Sequence, residues 1–214
     1  MIIYGAYGGP EIIKGLVRDI RPVWALEEIG ADYKQKWLDT RKGEQRSDVY
    51  RAINPFGKVP AMVDGDVTLF ESAAICFYIA NKYGQLTPSI GSTGYFKVQQ
   101  WAWAAVDNVM PPLFDTFIWT HFMSEHPSAA GVVETRKDVI KARLEVMDKV
   151  LADTEFLVGN ELTIADIMMG SVLRNGLNPN ALDPYENVSR YGETLWERPA
   201  FKRAYEANLS GPTS

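Results

Sequence analysis

Short apolar runs alternate with helical stretches up to about residue 85, and beyond residue 94 the apolar positions keep a helical period throughout. Ile2 to Tyr4 reads as a strand ending at Gly5. Between Ile12 and Ile29 the apolar residues Ile13, Leu16, Val17, Ile20, Val23, Trp24 and Leu26 recur at steps of three or four, which predicts a helix stopped by Gly30. Pro22 interrupts that pattern and predicts a kink or a late start near Arg21. Tyr33 to Leu38 reads as a second strand, and Gln45 to Ile53 as a short helix ended before Asn54-Pro55. Val59–Val63 and Val67–Leu69 flank Asp64-Gly65 as a hairpin, and Glu71 to Tyr83 is helical up to Gly84. The order β-α-β then α-β-β-α describes a small sheet covered by helices.

Residues 85–94 are rich in Gly, Pro, Ser and Thr and read as a linker. From Val98 the apolar positions are Trp101, Ala102, Ala105, Val106, Val109, Met110, Leu113, Phe114, Phe117 and Ile118, an amphipathic stripe. Pro111-Pro112 lies inside it, and because the stripe keeps its phase across the pair, one kinked helix is expected. Ile140, Leu144, Met147 and Val150 share a face of a second helix, Leu162 to Ile167 starts a third, and a last one follows Arg198-Pro199. The expected organisation is therefore α+β, with a sheet-containing domain over 1–84, a linker over 85–94 and an all-α domain over 95–214.

Composition narrows the function classes. A chain of 214 residues with net charge −5 has material for a sizeable core and lacks the basic balance of a nucleic-acid binder. Its basic residues are dispersed, the start lacks the features of a secretory signal, and no apolar run approaches the roughly 20 residues of a membrane span. Cys76 is the only cysteine, so a reducing, cytoplasmic setting is expected.

Residues 53–72 carry the most chemistry. A backbone held extended at Val59 before Pro60 can pair with a peptide-like ligand, Ser72 at a helix N-terminus can hold a carboxylate, and Glu71 can hold an amine. Glutathione has all three handles. The ordered motifs Trp24 to Gly30, Asn54 to Pro60, Leu69 to Ser72, Phe156 to Gly159, Leu162 to Asp166 and Glu197 to Phe201 resemble those of the cytosolic glutathione transferases across nearly the whole chain. That resemblance implies a thioredoxin-like N-terminal domain, an all-helical C-terminal domain, a homodimer, and glutathione as co-substrate joined to a small apolar electrophile. It implies a cis Val59-Pro60 bond whose Val59 pairs with the cysteinyl backbone, and a Glu71-Ser72 pair that grips the γ-glutamyl group; an ordinary turn proline and a plain helix cap are the alternatives. Gln45 and Arg46 lie in the loop that resembles the one reaching the glycine carboxylate, and Lys58 is a further candidate; solvent-facing side chains are the competing reading.

The thiol must become a thiolate, and lowering its pKa by about 2 from about 8.5 requires roughly 2.7 kcal/mol of preference for the charged form. The family supplies a Tyr, Ser or Cys near the start of the first helix, and here the sequence departs from the pattern: residues 1–36 hold no Ser, Thr or Cys. Residues 8–20 look like an insertion or an extended first helix. Tyr7, in a Gly-rich turn after the first strand, is the candidate thiol-stabilising residue, with backbone amides or Arg18 as alternatives. A peroxide or disulfide reductase on the same site, or a non-catalytic glutathione-binding relative, stays open. Cys76, inside an apolar helix, reads as a buried small residue, and His121 and His126 have no partners for a metal, so none is expected. Trp103, Asp107, Met110, Phe114 and Phe117 are candidates for the electrophile pocket, with domain core as the alternative; Asp107 can instead reach glutathione across a dimer interface or cap the kink. Thr163 and Asp166 read as a structural capping pair worth about 1 kcal/mol.

Overall fold

The computed structural model describes residues 1–15, 17–176 and 179–212, with the side chains of 175, 176, 179 and 180 left out; Leu16 of the first helical pattern lies outside the described residues. The chain forms two compact units, Met1–Ile90 with Glu197–Ser214, and Gly91–Trp196.

The first unit is built on four strands, β1 (Ile2–Tyr7), β2 (Lys34–Asp39), β3 (Ala61–Asp64) and β4 (Val67–Phe70), in the order β2-β1-β3-β4. β1 and β2 are parallel, joined through α1 (Ile20–Ile29), while β3 runs antiparallel to both β1 and β4. α2 (Asp48–Arg51) supplies Tyr50 to a buried cluster with Tyr4, Leu38 and Ala61, and the rings of Tyr4 and Tyr50 meet at 5.5 Å. α3 (Ser72–Tyr83) packs against α1.

The helix expected from Ile12 is shorter than its pattern. Residues 11–13 form a single 3-10 turn, and α1 begins at Ile20, so the segment before it is not a helical extension. Pro22 falls in the first turn of α1, where a missing N–H costs nothing, and no kink is needed. Gly30 caps α1 in the left-handed region at φ 72. The hairpin loop is Gly65-Asp66, one residue later than expected, because Asp64 still pairs with Val67.

The last helix departs from the expected 95–214 domain. α9 (Pro199–Ser210), with Pro199 at its start, groups with the first unit and packs on α1. Phe201 meets fully buried Trp24 edge-on at 4.8 Å. Arg198 forks onto Glu28 at 2.6 and 2.8 Å, and the Trp24 indole donates to the same carboxylate at 2.9 Å. An apolar face on α1 thus finds its cover more than 170 residues further along the sequence, beyond the reach of any local pattern.

The second unit is helical: α4 (Thr93–Ala104), α5 (Met110–His121), α6 (Ala129–Val150), α7 (Ile164–Gly176) and α8 (Glu186–Trp196). α7 is central, its residues Ile164 to Leu173 all buried, and it packs against α4, α5 and α8. The helix expected to run through Pro111-Pro112 does so without leaving helical backbone, α4 passing into α5 through a π turn over Ala105–Val109. The Met110 N–H donates to the Ala105 carbonyl, and the prolines take the first turn of α5. The extra residue per turn moves the proline rings off the carbonyls they would otherwise strike.

Candidate functional site

The ends of β1, β3 and β4 converge with the start of α3 in the first unit. The Val59-Pro60 bond is cis, and both ladders of β3 end at Ala61, so Val59 lies just outside them. The residue before it is fixed by its carbonyl: Lys58 O accepts from the Tyr50 hydroxyl at 2.7 Å and from the Asn54 side-chain amide at 2.6 Å. Asn54 in turn accepts from the Phe56 N–H, closing the Asn54 to Gly57 turn.

Glu71 sits at φ 70, outside the comfortable range of a residue with a side chain, immediately before α3. Strain of this kind persists only where the surroundings hold it, and it commonly marks a ligand site. Ser72, next in the chain, is 5 % exposed and opens α3. Its hydroxyl oxygen accepts from Arg21 Nη1 at 3.0 Å. That leaves the Ser72 hydroxyl hydrogen to donate elsewhere, beside the free amides of the α3 N-terminus. Arg21 is 2 % exposed, and burial brings its guanidinium down to about 10, opposed by the nearby Glu71 carboxylate; it remains a cation at neutral pH. Sequence reasoning singled out Arg21 only as a helix marker. Its link to Ser72 spans 51 positions and has no local signature.

Gln45 and Arg46 lie in the 3-10 turn Glu44–Arg46. Gly57, at φ 60, allows this turn to approach: a Cβ there would lie 2.6 Å from the Gln45 carbonyl oxygen. Gln45 is therefore beside the Phe56–Lys58 turn, with Arg46 and Lys58 exposed on the two segments. Val59, Lys58, Gln45 and Arg46 thus belong to one neighbourhood, and Glu71 and Ser72 follow β4, which pairs with β3 at Ala61.

Tyr7 ends β1 opposite Asp39 of β2. Its carbonyl accepts from the Thr40 hydroxyl at 2.7 Å, and the Arg41 guanidinium lies 5.6 Å over its ring. Arg41 is itself forked onto the buried Asp39 carboxylate at 2.9 Å through both nitrogens. Cys76 is fully buried in α3, and burial pushes its thiol up to about 12, the setting of a packed small residue.

In the second unit, Trp103, Asp107, Met110, Phe114 and Phe117 run along the α4–π–α5 segment at steps of four and three. The buried positions of the segment are Tyr95, Val98, Ala102, Ala105, Val109, Pro112 and Leu113, and Met110 and Phe117 are half-buried. Trp103 and Phe114 are 48 % and 47 % exposed within the chain, and Asp107 is exposed. With prolines at 111 and 112, the Asp107 carbonyl has no amide to meet in either α or π register. Among the described residues no cluster of His, Cys, Asp or Glu is suited to a metal, and no helix is long and apolar enough to cross a membrane.

Residues 13–81 match the family model "Glutathione S-transferase, N-terminal domain", and residues 114–208 match "Glutathione S-transferase, C-terminal domain". The chain is 34% identical over 203 residues to the probable glutathione S-transferase GSTF2 of Oryza sativa subsp. japonica, covering 90% of this chain and 92% of the relative. Its backbone is similar to that of glutathione transferase F2 from Populus trichocarpa, at TM-score 0.84 and 26% identity over 98% of this chain and 99% of the other. It is similar also to the glutathione transferase URE2P6 of Phanerochaete chrysosporium, solved in complex with oxidized glutathione, at TM-score 0.84 and 25% identity over 98% and 96% of the two chains. With two domain models in order and a relative matched over nine-tenths of its length, the chain belongs to the glutathione S-transferase family.

Proposed function

We propose that the protein binds glutathione along the first unit and transfers its sulfur to a small apolar electrophile. The observation that carries this reading is the Arg21–Ser72 bond at the start of α3. A serine whose oxygen is already occupied by a buried cation is a committed donor, and with the helix N-terminus it suits the γ-glutamyl carboxylate. Glu71, held at φ 70, takes the α-amine. The backbone of Val59, beyond the end of its ladder, pairs with the cysteinyl unit, and Pro60 keeps that segment in place. Arg46 and Lys58, beside Gln45, take the glycine carboxylate.

In the reaction the bound thiol releases its proton to solvent, and the thiolate attacks the electrophilic carbon. A C–S bond forms as the leaving group departs with its electron pair. Tyr7 donates the hydroxyl hydrogen bond that favours the thiolate, and Trp103, Asp107, Met110, Phe114 and Phe117 supply the electrophile surface. A cytoplasmic homodimer is the setting of this proposal.

A reductase reading competes because a structural neighbour was solved with oxidized glutathione. In it the same thiolate attacks a disulfide, and a second glutathione releases the mixed disulfide as oxidized glutathione. Glutathione-thiolate absorbance against pH, in wild type and Tyr7→Phe, tests the proposal. A midpoint well below the free thiol that rises in Tyr7→Phe is expected. A lowered midpoint unchanged by Tyr7→Phe removes Tyr7 from the role, and failure of glutathione resin to retain the protein overturns the whole reading. Turnover of a disulfide but of no electrophile selects the reductase.

A further inference from the structure

One buried acid is not used by any of this chemistry. Asp19 precedes α1 and is fully buried, and Asn208, near the end of α9, is 7 % exposed. The Asn208 side-chain amide donates to Asp19 Oδ1 at 3.0 Å. The other oxygen of each group, Asp19 Oδ2 and Asn208 Oδ1, is enclosed and has no hydrogen-bond partner among the described residues, although the backbone amides of Asp19 and Ala6 lie near the carboxyl. β1 seals the carboxyl from one side, since a Cβ on Gly5 would stand 2.2 Å from Oδ2. With Asp19 ionised, two acceptors of one bonded pair are buried without a hydrogen-bond partner, an arrangement that burial penalises at each group. A carboxylic acid and a primary amide each offer one donor and one acceptor, so a single proton on Asp19 supplies what the pair lacks.

We propose that Asp19 and Asn208 form a buried carboxylic acid–carboxamide lock, with Asp19 carrying the proton, that fastens the C-terminal helix to the segment leading into α1 and loosens when that proton is lost. The electrostatics agree with the geometry. Burial raises Asp19 to about 7, against the opposing pull of its own amide, the Asn208 amide and the Ala6 amide. The titratable groups around it are few. From α2, Tyr50 senses the Asp19 charge; on its own segment are Arg18 and Arg21, the latter bonded to Ser72. β1 and β2 present neutral Gly5 and Trp37. On α9, Arg203 pairs with Glu27, Glu206 lines an outer groove with Gln35 and Trp37, and Tyr205 packs against Gly15.

The lock has a place in the molecule as well as a charge state. Gly211, just past the end of α9, touches Tyr7: a Cβ there would lie 3.4 Å from the Tyr7 Cβ. Release of the final turns of α9 therefore reaches the end of β1. The lock does not rest on the glutathione reading and stands or falls without it. For the sign, a carboxyl raised from 3.8 to about 7 in the folded state holds a proton that the open state has released. Its stabilising contribution is complete below about 4, declines as pH rises through that window, and is gone above about 7.

The test uses the full chain. Amide hydrogen exchange of residues 204–210, corrected for the intrinsic pH dependence, is followed beside the side-chain carboxyl carbon resonance of Asp19. The resonance is expected to titrate near 7, and opening of the last turns of α9 to become about tenfold more frequent between pH 6 and 8. Asp19→Asn, which keeps the shape and cannot ionise, is expected to remove that dependence. Asn208→Leu, which fills the space without an amide, is expected to show weak protection at every pH, and it serves if Asp19→Asn does not fold. An Asp19 resonance titrating near 4, as for a carboxylate kept ionised by a buried water, overturns the proposal. So does α9 protection that ignores the titration of Asp19, or a tenfold change that persists in Asp19→Asn.

Discussion

Replacing Asp166 by Ala is expected to cost about 3–5 kcal/mol, several times the roughly 1 kcal/mol of an exposed helix cap. The difference comes from what converges on one carboxylate. Oδ2 accepts from the Thr163 N–H and the Thr163 hydroxyl, each at 2.8 Å. Oδ1 accepts from the Leu157 N–H at 2.9 Å and the Tyr191 hydroxyl at 3.0 Å. Asp166 and Tyr191 are 0 % exposed and Thr163 5 %, so water cannot replace the lost acceptor. The two hydroxyls can rotate towards other acceptors, but the two amides cannot, and each orphaned buried amide costs about 1–3 kcal/mol. A further small cavity term adds to this, while relief of the buried charge subtracts from it; burial raises the Asp166 carboxyl, which shows that the desolvation is felt. Asp166→Asn keeps one oxygen and two of the four bonds, so it is expected to fall between wild type and Asp166→Ala. Tyr191→Phe, which removes one rotatable donor, is expected to cost about 1 kcal/mol. Urea unfolding followed by tryptophan fluorescence, at one protein concentration, measures all three. An Asp166→Ala loss of about 1 kcal/mol or less would refute the reasoning, because it would mean that the amides find other partners.

Ser72→Ala removes the proposed carboxylate donor and leaves Arg21 Nη1 without this acceptor, so glutathione affinity by calorimetry should fall about tenfold or more; unchanged affinity would remove Ser72 from the site. Gly57→Ala places a Cβ 2.6 Å from the Gln45 carbonyl at a φ of 60, so it should both destabilise the fold by about 1–3 kcal/mol and raise KM for glutathione; a Tm and KM equal to wild type would show that the Gln45 turn is free to move. Cys76, fully buried with its thiol pushed up to about 12, should resist a thiol-specific chromophoric reagent in the folded protein and react as one thiol per chain in urea; prompt labelling at neutral pH would contradict the packing of α3.

The motifs around Val59-Pro60 and Glu71-Ser72 were legible because each is a local signature: a proline after an extended residue, a hairpin, a hydroxyl at a helix start. Where the segment before α1 departs from its family, periodicity misled, since Ile12, Ile13 and Val17 keep a helical spacing although Gly15 sits at φ 72 and breaks it. α8 escaped notice because only Val188, Tyr191 and Leu195 mark its buried face in an otherwise polar stretch. The capping pair at Thr163 and Asp166 was visible by spacing, but its strength was not, because Leu157 and Tyr191 reach the same carboxylate from outside the motif.

The sequence by itself determined the strands, most helices and the family, since those depend on neighbours a few positions apart. Only the tertiary structure decided that Arg21 serves Ser72, that α9 completes the first unit, and that Asp19 meets Asn208. Each of these joins groups from 51 to 189 positions apart, and each is fixed by burial. Once water is excluded, a polar group must take whichever partner the packing brings, and no local pattern records which one that is.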